Sequence, residues 1–465
     1  MATCCSGGRA ETVRRGERRT TGHEASPAEV RELRVAVESI AAGGDGVARA
    51  GGLVVFLPRT APGDEGVATA AVGRSFARGR LTKLEVASPA RVDPPCEHYE
   101  RDSCGGCQLQ HMNYPAQLDA KRRIVEDAFL RIGKRAVDVP PVEPSPEQWR
   151  YRAKLTLALR ERVAGEEMPH DALAPADSRW IAGLHPFDNP SVVFPLADCP
   201  ISSEGLLEAW GAVLRAGDLL PEAKSLRVAA RLTSEGVALV VQGGESWEAA
   251  GDFADAVPEV AELWWAGEDG APELLRGRPA DVVADMPGDT LDLEPGASFV
   301  QVNPSVAEAV RSHVLNLALA RQPRTAVDAY SGTGAYASRL AAAGVRVTAI
   351  ERDPAAAAFA AQTLPPPSLS IAASVERALP DALPADLVIV NPPRAGLHAR
   401  VTELLAAGKP RPSHLIYVSC NPATLARDVT RLPGWQVASV RAFDMFPQTS
   451  HVEVVCEFVQ EASSE

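Results

Sequence analysis

At 465 residues the chain exceeds what one hydrophobic core supports, and roughly 150 residues per domain predicts about three domains. Hydrophobic residues make up 46% and charged residues 23%, which excludes wholesale disorder; a net charge of −13 excludes a protein that coats nucleic acid with its whole surface. Apolar runs such as 355–361 and 387–390 fall far short of the roughly 20 residues of a membrane helix, and the N-terminal arginines have no apolar segment behind them, so a cytoplasmic protein without a membrane span is expected.

Residues 1–30, rich in Arg, Gly, Thr and Glu without apolar periodicity, read as a disordered tail. Over 31–92, β-type runs (Leu33 to Ile40, Leu53 to Leu57, Gly66 to Val72, Gly79 to Val86) alternate with glycine-rich turns, a spacing that predicts a small barrel of the oligonucleotide-binding type. A mixed α+β central domain is expected over 93–298, with a cysteine cluster, a helix from Tyr114 to Ile132 and strands at Ala153 to Leu159 and Val237 to Val241. Lys121-Arg122-Arg123 and Trp149-Arg150-Tyr151-Arg152-Ala153-Lys154 are local basic patches. In the second, rings alternate with cations as a strand-binding surface needs. From 299 to 465, strands (Thr325 to Tyr330, Arg346 to Ile350, Asp386 to Asn391, His414 to Ser419) alternate with alanine-rich helices (Gly334 to Ala343, Pro354 to Thr363). That rhythm predicts an α/β fold, a doubly wound, Rossmann-like parallel sheet.

In that last part, Val327-Asp328-Ala329-Tyr330-Ser331-Gly332-Thr333-Gly334 stands where a strand turns into a helix, and its glycines allow close approach of backbone to a ligand. Glu351, 19 residues after Gly332, ends the next strand and can accept hydrogen bonds from both ribose hydroxyls of an adenosine. With no third glycine and no Lys-Ser/Thr for phosphates, the loop suits an adenosine without pyrophosphate, such as S-adenosylmethionine.

Three segments are expected at the carboxyl edge of the sheet: Asn391-Pro392-Pro393-Arg394, Ser419-Cys420-Asn421-Pro422, and Phe446 to Glu453. A cysteine that ends a strand is more often a small core residue, but Asn-Pro after Cys420 breaks the strand and turns the chain outward. Cys456, in an alternating apolar run, reads as core. An exposed thiol beside a carboxylate or imidazole suits methylation of uracil carbon 5. A thiolate adds to carbon 6, carbon 5 becomes nucleophilic, and a base then removes the carbon 5 proton so that the thiolate leaves. Cys420 and Glu453 can supply these groups, with His451 an alternative base.

Cys96, Cys104, Cys107 and, at long range, Cys199 form a set of four thiols. Their spacing suits either a tetrahedral zinc or an iron–sulfur cluster, and disulfides are disfavoured in a cytoplasmic protein.

Val-Ser-Cys-Asn-Pro at 418–422, Phe-Pro-Gln-Thr-Ser-His-Val-Glu at 446–453 and Asn-Pro-Pro-Arg-Ala-Gly at 391–396 together resemble the RNA uridine-5-methyltransferases, which modify ribosomal and transfer RNA. The likeness extends to Phe299-Val-Gln301-Val-Asn303 and to residues 33–92, which look like that family's TRAM barrel. The resemblance implies an S-adenosylmethionine-dependent enzyme on structured RNA, ribosomal in preference to transfer RNA; a monomer is the default expectation. Cys420 would be its nucleophile and Glu453 its base, with Gln301, Tyr330, Glu351 and Asn391 holding the cofactor and Phe299 and Gly332 secondary. Many relatives carry Asp where this chain has Asn391, and an amide cannot serve as a base. Gly105-Gly106-Cys107-Gln108-Leu109-Gln110-His111 looks like the signature of members with a 4Fe-4S cluster, which favours that cluster over zinc on Cys96, Cys104, Cys107 and Cys199. Seven residues separate Cys96 from Cys104 where five are usual.

Two rivals remain. Asn391-Pro392-Pro393 also resembles the motif of amino-group methyltransferases, which need no cysteine. A non-catalytic RNA-binding protein would keep the barrel and cluster on an inactive methyltransferase fold.

Overall fold

The computed structural model of the chain describes residues 29–233, 235–268, 270, 272–277, 301–407 and 411–460. The N-terminal tail, Phe299 and the expected boundary at 298/299 lie outside them.

Strands β1 (Glu29–Ile40), β2 (Gly46–Ala50), β3 (Leu53–Leu57), β4 (Glu65–Val72) and β5 (Phe76–Val86) close into a barrel in the order β1-β2-β3-β5-β4. Every second residue points inward, and Val35, Val37, Ala48, Val55, Leu57, Ala68, Ala70 and Ala77 fill the interior. No strand was read at β2, because glycine pairs on both sides of this five-residue strand suggest turns. Gly44 has φ +91°, and a Cβ there would stand 2.5 Å from the Gln108 Cβ, so the barrel sits tightly on the loop after Cys107.

Helices α1 (Glu97–Arg101) and α2 (Tyr114–Arg131) lead to a second sheet. Asn113 caps α2 by accepting from Ala116 N–H at 3.1 Å, and Pro115 occupies its first turn. The helix buries Gln117, Lys121, Ile124, Val125, Ala128 and Phe129 along one face. The sheet runs β12-β11-β10-β9-β6-β7-β8, built from β6 (Lys154–Glu161), β7 (Trp180–Leu184), β8 (Phe194–Pro195), β9 (Ser225–Thr233), β10 (Gly236–Gln242), β11 (Val260–Ala266) and β12 (Glu273–Arg276). Helices α3 (Glu204–Arg215) and α4 (Ala250–Ala256) contribute Leu206, Trp210 and Phe253 to a core shared with Leu155, Leu157, Val228 and Leu239.

The C-terminal part contains α5 (Pro304–Ala320), β13 (Thr325–Ala329), α6 (Ala335–Ala342), β14 (Arg346–Glu351), α7 (Pro354–Thr363), β15 (Leu369–Ala372), α8 (Val375–Ala382), β16 (Leu387–Val390), α9 (Ala399–Ala407), β17 (His414–Ser419), α10 (Pro422–Val429), β18 (Trp435–Phe443) and β19 (Glu453–Gln460). Its sheet order is β15-β14-β13-β16-β17-β19-β18, five parallel strands followed by an antiparallel hairpin. β16 and β17 are buried along their whole length, as their unbroken apolar runs require when both faces are covered.

Lys121 and Asp444, both with 0% side-chain exposure, form an ion pair that ties α2 to the β18–β19 connection, and Lys121 also donates to the Phe446 carbonyl at 3.0 Å. Removing one partner leaves the other charge buried alone. Lys121→Met is expected to cost about 3–5 kcal/mol in denaturant unfolding, with part recovered in Lys121→Met/Asp444→Asn.

Candidate active site

The cofactor segment forms as the sequence suggests, at the carboxyl end of β13. Tyr330 takes a left-handed conformation (φ +62°), followed by Gly332 (+56°) and Gly334 (+87°). A non-glycine residue held there marks a strained, over-determined turn. Among the described residues, apart from its chain neighbours, no heavy atom lies within 4 Å of where a Gly332 Cβ would stand, so the turn faces open space there. The Glu351 carboxylate accepts from Gly332 N–H at 2.9 Å and Asp353 N–H at 2.8 Å, which fixes it beside the loop. Asp328, which the sequence does not single out for a role, is fully buried and accepts from Ala337 N–H at 3.0 Å, anchoring the start of α6; burial pushes its carboxyl up to about 7. Asn391 follows β16 next to this turn, its N–H donating to the Ala329 carbonyl at 3.2 Å. Gln301 lies just before α5, where Ala153 N–H holds the Val302 carbonyl at 2.9 Å, so the second sheet sets its position.

The reactive residues gather at one sheet edge, with one change from expectation. Glu453 does not end a parallel strand but begins β19, which runs antiparallel to β17. Ser419 pairs with Val454, and one further step of that register sets Cys420 against Glu453. Asn421 caps α10, accepting from Ala423 N–H at 3.1 Å, and donates to the Arg394 carbonyl at 3.2 Å, so Cys420 stands at a rigid strand-to-helix turn. Cys420 is half-buried, while Cys456 is in the core as read.

Arg394 stands near both the Cys420 thiol and the Glu453 carboxylate, and its Nη2 lies 3.4 Å from His451 Nε2. Burial, then Glu453, push the Cys420 thiol up, and Arg394 opposes both. Burial raises Glu453 to about 8, again against Arg394, and its Oε2 has no hydrogen-bond partner among the described residues. His451, the alternative base, is lowered to about 4 by burial and by Arg394, Lys121 and Arg152. Glu453 is thus the stronger base of the two. Asp428 is a further residue that the sequence did not signal. Fully buried, it accepts from Leu397 N–H at 2.7 Å and Tyr417 O–H at 3.0 Å and so binds the Asn-Pro-Pro-Arg loop to β17. A lone Asp in a helix carries no pattern that reveals such a role.

Cys96, Cys104, Cys107 and Cys199 are all buried and line one cavity of about 90 Å³, together with His98, Gln110 and Arg152. Among the described residues no group of His, Cys, Asp and Glu stands close enough to hold a single metal ion. Burial raises the thiols of Cys96, Cys104 and Cys107, Cys104 to about 12.

This fold and this edge define the class of S-adenosylmethionine-dependent methyltransferases. The solved structure of Pyrococcus abyssi tRNA (uracil-54, C5)-methyltransferase, in complex with S-adenosyl-L-homocysteine, matches with a TM-score of 0.64 at 24% identity over 92% of this chain and 99% of that one. Residues 381–459 match the family model described as tRNA (Uracil-5-)-methyltransferase. An uncharacterized RNA methyltransferase of Halalkalibacterium halodurans is 30% identical over 91% of this chain and 96% of its own. The 23S rRNA (uracil(1939)-C(5))-methyltransferase RlmD of Shewanella amazonensis is 31% identical over 89% and 93%. The chain belongs to the RNA uracil-5-methyltransferase family.

With Arg394→Met, the Cys420 thiol loses its facing cation. Alkylation of Cys420 by iodoacetamide, followed by mass spectrometry across a pH series, is expected to move to higher pH and slow roughly tenfold at neutral pH.

Proposed function

We propose that this protein methylates carbon 5 of a uridine in ribosomal RNA, with Cys420 as nucleophile and Glu453 as base. The observation that carries the reading is the meeting of a half-buried thiol, an unpartnered buried carboxylate and one arginine across the β17–β19 register. Ribosomal RNA is supported by the RlmD relative, which the chain matches over 93% of its length.

S-Adenosylmethionine, when bound, supplies an electrophilic methyl on a positively charged sulfur. Gln301, Tyr330, Glu351 and Asn391 would hold it, and the open face of the Gly332 turn fits an adenosine. The Cys420 thiolate, favoured by Arg394, adds to carbon 6 of a uridine turned out of its stack. The electron pair displaced to carbon 5 takes the methyl. Glu453 then accepts the carbon 5 proton, the pair re-forms the carbon 5–carbon 6 double bond, and the thiolate leaves. Burial of Glu453 matches this task, since a carboxylate of low proton affinity would remove a carbon-bound proton slowly.

Glu453 works only as the carboxylate and Cys420 only as the thiolate, so turnover is expected to rise with pH through about 8 and to go on rising as the Cys420 thiol, pushed up by burial, ionises. In Glu453→Gln the protein–RNA adduct cannot collapse. Labelled ribosomal RNA should then stay attached to the protein in a denaturing gel, whereas Cys420→Ala should form neither adduct nor 5-methyluridine. Methylation that persists in Cys420→Ala, detected by nucleoside analysis on an exocyclic amine, would instead support the amino-group reading of Asn391-Pro392-Pro393.

The four cysteines are proposed to hold a 4Fe-4S cluster. Four buried thiols around a common cavity are a donor set for zinc or a cluster, and the likeness of residues 105–111 to the signature of cluster-bearing members favours the cluster. Protein purified without oxygen is expected to contain about four iron and four sulfide per chain, lost in Cys107→Ser; stoichiometric zinc would overturn the assignment.

A further inference from the structure

The connection between β18 and β19 is a nine-residue loop, 444–452, that delivers Glu453 to the sheet edge. Unlike an ordinary hairpin loop, it lies almost wholly inside the protein; of its residues only Phe446 and His451 are partly exposed. Buried backbone must find partners, and here they come from the N-terminal half of the chain.

At the centre is Gln448, 2% exposed and left-handed at φ +70°, a conformation that glutamine keeps only when its surroundings impose it. The side chain of Gln117 in α2, 1% exposed, clasps it from both ends. Gln117 Nε2 donates to Gln448 Oε1 at 2.9 Å, and Gln117 Oε1 accepts from Gln448 N–H at 3.0 Å. Gln117 Nε2 is itself oriented by the Met112 carbonyl at 2.8 Å. On the other side, Gln108 and Leu109, next to Cys107, donate their N–H groups to the Gln448 carbonyl at 3.1 and 2.9 Å. Tyr151 O–H holds the Pro447 carbonyl at 3.1 Å, and Ser450 O–H reaches the barrel at the Ala42 carbonyl, 2.9 Å away.

We infer that Gln117 is a positioning residue for the proton-removal step: through the amide clasp on Gln448 it fixes the loop that aims Glu453 at carbon 5. The inference rests on the reading of Glu453 as base. It separates two halves of the reaction, because Cys420 is set by β17 and α10, to which the clasp makes no hydrogen bond among the described residues. Loss of the clasp therefore leaves thiol addition and methyl transfer in place and slows only the removal of the proton.

The test uses the full-length protein with its native metal content and unmodified ribosomal RNA transcribed with tritium on uridine carbon 5. Tritium release reports proton removal, and RNA that stays with the protein in a denaturing gel reports the adduct. In Gln117→Met, tritium release is expected to slow roughly 100-fold, as a misplacement of about 1 Å implies. The adduct accumulates and the affinity for S-adenosylmethionine, measured by calorimetry, is unchanged. Gln117→Glu, which still accepts from Gln448 N–H, falls between. If Gln117→Met does not fold, Gln448→Gly removes the side-chain half of the clasp, keeps the N–H bond to Gln117 Oε1 and relieves the left-handed strain, and a smaller accumulation of adduct is expected. Tritium release at the unaltered rate, or adduct and release falling in parallel in a folded variant, would overturn the inference. Failure of Glu453→Gln to accumulate adduct would instead remove the base assignment on which it stands.

Discussion

The antiparallel pairing of β19 with β17 is the constraint from which the site follows. A parallel strand at that position would present its carboxyl end, not its first residue, at the edge where β13, β16 and β17 finish. Reversing the last hairpin brings Glu453 to the same edge as Cys420, although the two are separated by a helix, a strand and a long loop. The geometry is thus carried by backbone hydrogen bonds, the most rigid positioning device a sheet offers. Side chains refine it: Asn421 and Asp428 hold the turn after β17 against the Asn-Pro-Pro-Arg loop.

Burial sets the chemistry within that frame. Low polarity raises the proton affinity of Glu453 and of the Cys420 thiol together, which suits a base that must take a proton from carbon but opposes formation of a thiolate. Arg394, exposed on one side and facing both groups on the other, offsets part of each effect. The same burial lowers His451, so the proton affinities of two side chains two residues apart are driven in opposite directions by one environment.

The three parts of the chain are joined at the loop that leads into Glu453. The barrel contacts it at Ala42, the segment after Cys107 at Gln448, α2 at Asp444 and Gln448, and the strand entering the second sheet at Pro447. A cysteine site about three hundred residues upstream in sequence is thereby placed within a few bonds of the active edge.

The sequence by itself determined the α/β rhythm of the C-terminal half, because fully buried parallel strands read as unbroken apolar runs and alanine-rich helices alternate with them. It also determined the local motifs: the Tyr330 to Gly334 turn, the strand-breaking Asn-Pro after Cys420, and the helix that begins at Tyr114. It did not reveal β2, whose five residues are masked by glycine pairs, nor most of the second sheet, whose strands lie among Pro- and Gly-rich loops and whose β6 pairs with β9 across a long intervening stretch. Only the tertiary structure decided that β19 runs backwards, that Gln117, Lys121 and Asp428 matter, and that the four cysteines share a cavity. Each of these depends on contacts between residues tens to hundreds of positions apart, and a linear pattern records which residues are present but not which of them burial will bring together.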